Sequence, residues 1–413
     1  MSEAGLLKQI SVRDTFASLK YPNYRLWFAG QLVSLVGTWT QSAAQGYLIY
    51  ELTKSPAYLG YVSFASGLPT WIFTLYAGAI ADRVSRRTMM VITQTSMMML
   101  AFILAFLTFT KTVQPWHILV LSFLLGISNA FDAPARQAFV QEMVKREDMT
   151  NAIALNSTMF NLAFVLGPAL GGLIYAAVGP GWCFTINGIS FIAVIIALLL
   201  MKLKPFSFVN TRKSAISDMK EGFRYVLNHS AVRKLIGDLF FITLFGLGVT
   251  ALIPAWSNTV LHGDAKTNGF LLAARGFGSL IAALLIASLG RYRWRGKLLS
   301  ASSLLLPISM IVFALMTWLL PSFIAMAAMG FTFMMIVNLS NAMVQTRIAD
   351  EMRGRVMGVY TFFFFGAMPV GSLIAGWSAE IIGEQLTVII SAAILLLFAL
   401  WVLWRQPDVK AME

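Results

Sequence analysis

The sequence predicts an all-α membrane protein: twelve transmembrane helices in two pseudo-symmetric six-helix bundles, with both termini on the cytoplasmic side. Three observations carry that expectation. The 413-residue chain is 58% hydrophobic and 12% charged, with a mean hydropathy of +0.74, whereas a soluble chain normally carries about twice that charged fraction. Its apolar residues fall in blocks of about 20 or more, enough to cross a hydrocarbon core of roughly 30 Å as helix. Its 31 Lys and Arg residues crowd at alternate ends of those blocks.

In chain order the blocks are 24–50, 56–81, 88–110, 115–138, 151–178, 181–203, 233–261, 267–290, 297–319, 322–346, 355–382 and 385–405. With the N-terminus inside, the cytoplasmic segments hold 27 of the 31 basic residues, in order 4, 3, 3, 8, 4, 3 and 2. Lys54, Lys111 and Lys266 fall on the other side, and Arg275 falls inside a block. This positive-inside bias sets the expected topology. The net charge of +13 is thereby addressed to membrane insertion and anionic lipid, not to nucleic acid.

Residues 1–21 carry Lys8, Arg13 and Lys20 but no apolar signal core, so the first membrane helix is expected to act as the signal. The single cysteine, Cys183, excludes an internal disulfide, and His117, His229 and His262 are scattered, which speaks against a metal cluster. No cofactor is expected. The Walker pattern for nucleotide binding is absent, so an ion gradient is the expected energy source. No acid–base pair or nucleophile constellation stands out, which makes an enzyme the least expected class.

The blocks divide into an N-terminal unit (1–203), a linker (204–232) and a C-terminal unit (233–413). Ser214–Leu227 reads as an amphipathic helix with Ile216, Met219, Phe223 and Val226 on one side. It is expected to rest on the inner membrane surface, a regulatory or partner-binding helix being the alternative. The units echo each other at an offset of 204 residues: Gln141 falls on Gln345, Glu147 on Glu351, Gly167 on Gly371 and Gly172 on Gly376. The basic hairpin Gly78-Ala-Ile-Ala-Asp82-Arg83-Val-Ser-Arg86-Arg87 has a counterpart at Gly290–Lys297, which keeps the basic residues and lacks the acid. Together these features predict a duplicated six-helix unit.

Several polar residues lie inside the blocks. Gln31, Ser34, Thr38, Gln41 and Gln45 are spaced 3, 4, 3 and 4, which puts them on one helix face. Amides facing lipid are costly, so that face must meet water, substrate or another polar helix. Asn338, Asn341 and Gln345 form a shorter stripe on the tenth block, and Thr243, Thr250 and Ser257 a weaker one on the seventh. Arg275 is expected either to recognise an anionic or carbonyl-rich substrate or to bond helix-end carbonyls. Asp132 and Asp238 are the acids of the inner half and the candidate proton sites. Asp132 has two candidate partners, Arg86 and Arg136, the latter at i+4. Gly167, Gly171 and Gly172 permit close helix packing, and Pro168 introduces a kink.

The hairpin Gly78–Arg87 resembles the loop 2–3 signature of the major facilitator superfamily, with Ser85 where a glycine is usual. Gly167-Pro168-Ala-Leu-Gly171-Gly172 resembles the helix-five motif of its exporters. Asn129-Ala-Phe-Asp132-Ala-Pro-Ala-Arg136-Gln, Asn151-Ala-Ile-Ala-Leu-Asn156-Ser and Arg353-Gly-Arg355-Val-Met-Gly358 resemble the branch of drug and metabolite exporters that includes the enterobactin exporter. The resemblance implies alternating access around a cavity bounded by helices one, four, seven and ten, and export of small amphiphilic molecules by proton antiport. It also implies a monomer in the bacterial inner membrane. A gating latch would comprise Gly78, Asp82, Arg83, Arg86, Asp132 and Arg355, with Asp82 facing the N-terminus of helix eleven near Gly354–Gly358. An importer, a facilitator or a lysolipid flippase remains open on the same fold, and a non-transporting receptor is the remoter alternative.

Overall fold

A computed structural model describes residues 16–81, 84–203, 215–289 and 294–405. After one 3₁₀ turn at Ala17–Lys20 come α1 (Pro22–Thr53), α2 (Pro56–Ala81), α3 (Arg86–Phe109), α4 (Pro115–Met143), α5 (Met149–Val178) and α6 (Pro180–Leu200). A short α7 (Ala215–Asn228) leads to α8 (Ser230–Ile242), α9 (Ile253–Thr259), α10 (Ala265–Leu289), α11 (Arg295–Leu315), α12 (Leu319–Thr346), α13 (Arg353–Ile382) and α14 (Glu384–Arg405). Among the described residues ten helical segments are long and apolar enough to cross a membrane: α3 to α6, α8 joined with α9, and α10 to α14. Helices α1 and α2, of 32 and 26 residues, pack among them.

Proline opens α1, α4 and α6, where its missing N–H is not needed and its fixed φ suits the first turn. One-residue turns join α5 to α6 and α13 to α14. Gly179 and Gly383 make them at φ of 93° and 82°, a region that side chains strain to enter. The two glycines are 204 residues apart, the same offset as the sequence echo.

The contacts repeat as well. A Cβ added to Gly167 would sit 3.1 Å from the Thr40 backbone, and one added to Gly371 would sit 2.0 Å from the Leu244 carbonyl; both pairs are related by 204. The seventh span is not one regular helix as its sequence suggests. It passes from α8 through a π-helical turn at Thr243–Leu247 and a 3₁₀ turn at Gly248–Leu252 into α9. The irregular stretch is where its backbone touches α13 at Gly371, and such bulges are the usual way a helix ladder widens to admit a neighbour.

The two largest apolar clusters lie in different halves: one runs from Val226 to Leu395, and a second joins Tyr24, Trp27, Phe139, Met159 and Leu198. A third crosses between the halves, joining Ala255 and Ala265 to Tyr47, Leu48 and Phe184. The halves meet along two seams, α2 on α13 and α5 on α10. Each seam has a glycine on both sides: Gly60 against Gly376, and Gly172 against Gly269. Without side chains the backbones approach closely, which lets dispersion and carbonyl contacts hold helices that gain nothing hydrophobic from leaving lipid.

The linker helix α7 packs on the second half. Its apolar side faces α13: Phe223 meets Phe362 and Phe363 at 6.0 and 5.7 Å, and Val226 is buried in the core cluster. Its acids Asp218 and Glu221 pair with Arg355 at 2.8 and 2.6 Å.

Candidate functional site

Asp82 and Arg83 lie outside the described residues, as do the side chains around Gly78 and residues 290–293 of the second hairpin. Arg86 does not reach Asp132. It opens α3 and pairs with Glu142 at 2.7 Å, near the end of α4. Asp132 lies ten residues earlier on α4, about 15 Å along the axis, and so is level with the second turn of α3. There Thr93 Oγ1 donates to its carboxylate at 2.9 Å and Gln94 Nε2 at 3.0 Å. Arg136, one turn on, is 3.9 Å away. Arg355 is taken by α7, and among the described residues nothing approaches the Cβ positions of Gly354 and Gly358 within 4 Å.

Asp132 is buried, with two donors from α3 and the Arg136 cation around it, and therefore ties α3 to α4. Asp132→Ala should cost roughly 2–4 kcal/mol, because it leaves the buried Gln94 amide without this acceptor and Arg136 without its counter-charge, Thr93 keeping the Met90 carbonyl. The loss is readable as a lower melting temperature in detergent, with Asp132→Asn falling less.

The polar face of α1 turns mainly into its own half. Asn187 of α6 donates to Gln41 at 2.7 Å, and Gln45 donates to Ser122 of α4 at 2.7 Å. Gln31, Ser34, Gln41 and Gln45 are all buried, and only Thr38 of the five is half-buried, its hydroxyl bonded to the Ser34 carbonyl. The interhelical alternative describes Gln41 and Gln45, since buried amides must find partners. On α12, Asn338 and Asn341 stay half-buried, and Gln345 donates to Asn341 at 2.6 Å. Gly167 and Gly171 press on α1 at Thr40, whose hydroxyl bonds the Gly167 carbonyl at 3.0 Å. Gly172 forms the α5–α10 seam, and the Pro168 carbonyl lies 2.4 Å from a Cβ placed on Gly269.

Residues that sequence spacing did not single out complete the region between the halves. Trp39 of α1 meets Phe164 and Phe160 of α5 edge-on, at 4.5 and 5.8 Å. The Arg275 guanidinium stands 5.1 Å from the Phe164 ring centre. Asn268, two turns before Arg275 on α10, donates to the Ala43 carbonyl of α1 at 3.3 Å. At the end of the bundle bearing Lys54, Glu380 of α13 accepts from Ser55 Oγ at 2.6 Å and from the Ala57 N–H at 3.3 Å, capping α2 across the seam. There too Tyr175 donates to Glu51, and Tyr47 bonds Asn258 of α9. The contacts between the halves thus gather toward the Lys54 end and reach inward to Phe164–Gly276 and Trp71–Phe362.

Asp238 sits apart from this region. It is buried on α8 and lines a pocket with Leu299, Ser300 and Ser303 of α11 and Phe398 and Val402 of α14. No hydrogen-bond donor meets its carboxylate among the described residues; Lys234, one turn earlier, is the cation acting on it.

The description of the matching family is "transmembrane secretion effector", and the match runs over residues 13–413, nearly the whole chain. The chain belongs to this family of major facilitator transporters. Curated relatives extend over most of their own length and most of this one. The staphyloferrin A transporter of Staphylococcus aureus is 25% identical over 365 residues, covering 87% of this chain and 90% of the relative. The multidrug efflux pump Tap of Mycolicibacterium fortuitum is 27% identical over 351 residues, covering 83% and 85%. Macrolide efflux protein A of Streptococcus pyogenes is 23% identical over 395 residues, covering 92% and 96%. In solved structures the same fold appears in the nucleoside transporter NupG, with a TM-score of 0.72 at 16% identity, covering 93% of this chain and 98% of that one. A bacterial homologue of the lysosomal transporter Spinster, in an inward-facing and unoccupied conformation, also scores 0.72, at 14% identity and covering 97% and 98%. The chain is accordingly a multi-pass membrane transporter and not an enzyme.

Proposed function

We propose that the chain is a twelve-span secondary exporter of small amphiphilic molecules in the bacterial inner membrane. In this reading α1 and α2 complete the spans, both termini are cytoplasmic, and a monomer works by alternating access. The units 1–203 and 233–413 rock about the two seams, joined by 204–232. The observation that carries the reading is the pair of glycine seams, α2–α13 and α5–α10, between halves whose largest apolar clusters are separate and are bridged through Ala255 and Ala265. Close contacts gathered at the Lys54 end describe a transporter shut toward the outside and able to part toward the cytoplasm. The relatives named for efflux pumps support the direction.

Proton antiport supplies the energy, each charge moved being worth about 2.3 kcal/mol per 100 mV, or roughly a fiftyfold gradient. Asp238 is the better candidate for the proton than Asp132. The Asp132 carboxylate holds two donors and the Arg136 cation in place, whereas the Asp238 carboxylate is buried with no donor among the described residues, so a proton can come and go with little rearrangement. Asn338 and Asn341 remain proposed as cavity lining, with Thr38 the one member of the α1 stripe still half-buried.

Inverted vesicles test the direction and the coupling together. Loaded with a fluorescent amphiphilic dye outside and acidified within, they should accumulate it, and a protonophore should abolish the gradient. Accumulation by right-side-out vesicles instead, under an inward proton gradient, would reverse the direction and make the chain an importer.

A further inference from the structure

Arg275 lies ten residues into the 25-residue α10, about 15 Å from its start and so near mid-membrane. Its direction follows from the exposure of its neighbours. Phe270, Phe277, Ile281 and Leu284 are 40%, 53%, 44% and 61% exposed and mark the outer face of α10. At 100° per residue Arg275 lies on the far side of the helix from Phe277, Ile281 and Leu284, in line with Asn268, which bonds α1. The guanidinium therefore turns inward, toward the space between the halves, beside Phe164 and within one ring of Trp39. Among the described residues no carboxylate and no carbonyl accepts from it.

The internal repeat shows that packing does not require this cation. The Arg275 carbonyl would lie 2.0 Å from a Cβ on Gly330, and the Ser66 carbonyl 2.2 Å from one on Gly126. Gly126 and Gly330 are 204 residues apart, and Ser66 and Arg275 are 209 apart, the spacing of the seam glycines Gly60 and Gly269 on the same two helices, so the same backbone contact is made in the first half under a serine. The charge is an addition to one half of a duplicated contact, placed where a ring face alone offsets it.

We propose that Arg275 receives the anionic group of the transported molecule, whose planar part lies against Trp39 and Phe164. The cargo is then an anionic amphiphile carrying a carboxylate or similar oxyanion. The guanidinium fork suits such a group because it donates two parallel hydrogen bonds and cannot lose its proton. A cargo of this kind brings the counter-charge that the site lacks, so binding removes an electrostatic cost as it forms the contact. The rings of Trp39, Phe160 and Phe164 supply the apolar wall, Phe160 being 44% exposed. This inference deepens the exporter reading and rests on it for the word cargo, while the site itself is measurable as binding.

The test compares dansylglycine, an anion, with its neutral amide dansylglycinamide, titrated against the full chain in phosphatidylcholine nanodiscs and followed by dansyl fluorescence. The wild type should bind the anion about tenfold more tightly than the amide, the size expected of one charge-assisted bidentate contact. Arg275→Gln should erase that preference by weakening the anion alone. Arg275→Lys should lower the ratio by roughly threefold, since the charge stays and the fork is lost. Equal affinity of the wild type for both probes would overturn the proposal, as would an Arg275→Gln chain that weakens both alike. Should the Gln variant fail to fold, an unchanged ratio in Arg275→Lys would overturn it equally. Anion-selective binding without uphill accumulation in inverted vesicles would leave the site standing and remove the exporter reading. Accumulation of the amide with no preference for the anion would do the opposite.

Discussion

Bridging positions 55 and 380 with a short bifunctional thiol reagent should stop transport, by more than about tenfold, and reductant should restore it. The chain to use carries Ser55→Cys and Glu380→Cys, with the buried Cys183 changed to Ser. Glu380 accepts from Ser55 Oγ and from the Ala57 N–H, so the end of α13 and the start of α2 are held at one point across a seam. A carboxylate beside a helix N-terminus gains about 0.3–1 kcal/mol, or up to ~2 when partly buried. Such a contact is strong enough to favour the closed outer end and weak enough to break once per cycle. If the halves rock, a covalent link there blocks the outward-open state, and the loss needs both cysteines. Transport that continues in fully cross-linked protein would show that α2 and α13 do not part at this end, and the alternating-access reading would fall with it.

Asp238→Asn should abolish uphill export under a proton gradient while leaving downhill efflux of preloaded dye within about twofold of wild type. The carboxylate lies among apolar residues of α8, α11 and α14, with Ser300 and Ser303 beside it and Lys234 acting from one turn away. An amide there occupies the same volume and carries no exchangeable charge. The substrate path between Trp39, Phe164 and Arg275 is built from other helices, so passive movement should survive. Vesicle accumulation gives the first quantity and efflux from de-energised vesicles the second. If Asp238→Asn retains full uphill transport, the proton passes elsewhere; if both quantities vanish, Asp238 serves the fold.

How much of the site was legible in the sequence differs by residue, and for physical reasons. Spacing put Gln31, Ser34, Thr38, Gln41 and Gln45 on one face of α1, which is a property of the helix alone. It does not say which neighbour that face meets, and the neighbours prove to be Asn187 for Gln41 and Ser122 for Gln45. Arg86 and Asp132 looked like partners because both lie at the same end of adjacent helices. The axial register of α3 against α4 instead gives Arg86 to Glu142 and Asp132 to Thr93 and Gln94. Phe160 and Phe164 carried no signal of their own, since an aromatic in a membrane helix looks the same facing lipid or cavity. Glu380 was equally silent: a lone acid at a helix end acquires meaning only when the helix beside it is known.

By itself the sequence determined that the chain is helical, that it lives in a membrane, that its basic residues favour one side, and that its second half repeats its first at 204 residues. Each of these follows from hydropathy, charge and identity summed along the chain, where local composition decides. Tertiary structure alone decided which helices face each other, that the seams are α2–α13 and α5–α10, and that α7 spends its apolar side on α13. It also decided that Arg275 stands inward with no counter-charge among the described residues. Those outcomes depend on axial register and rotation, in which a shift of one residue turns a side chain through 100° and exchanges lipid for cavity.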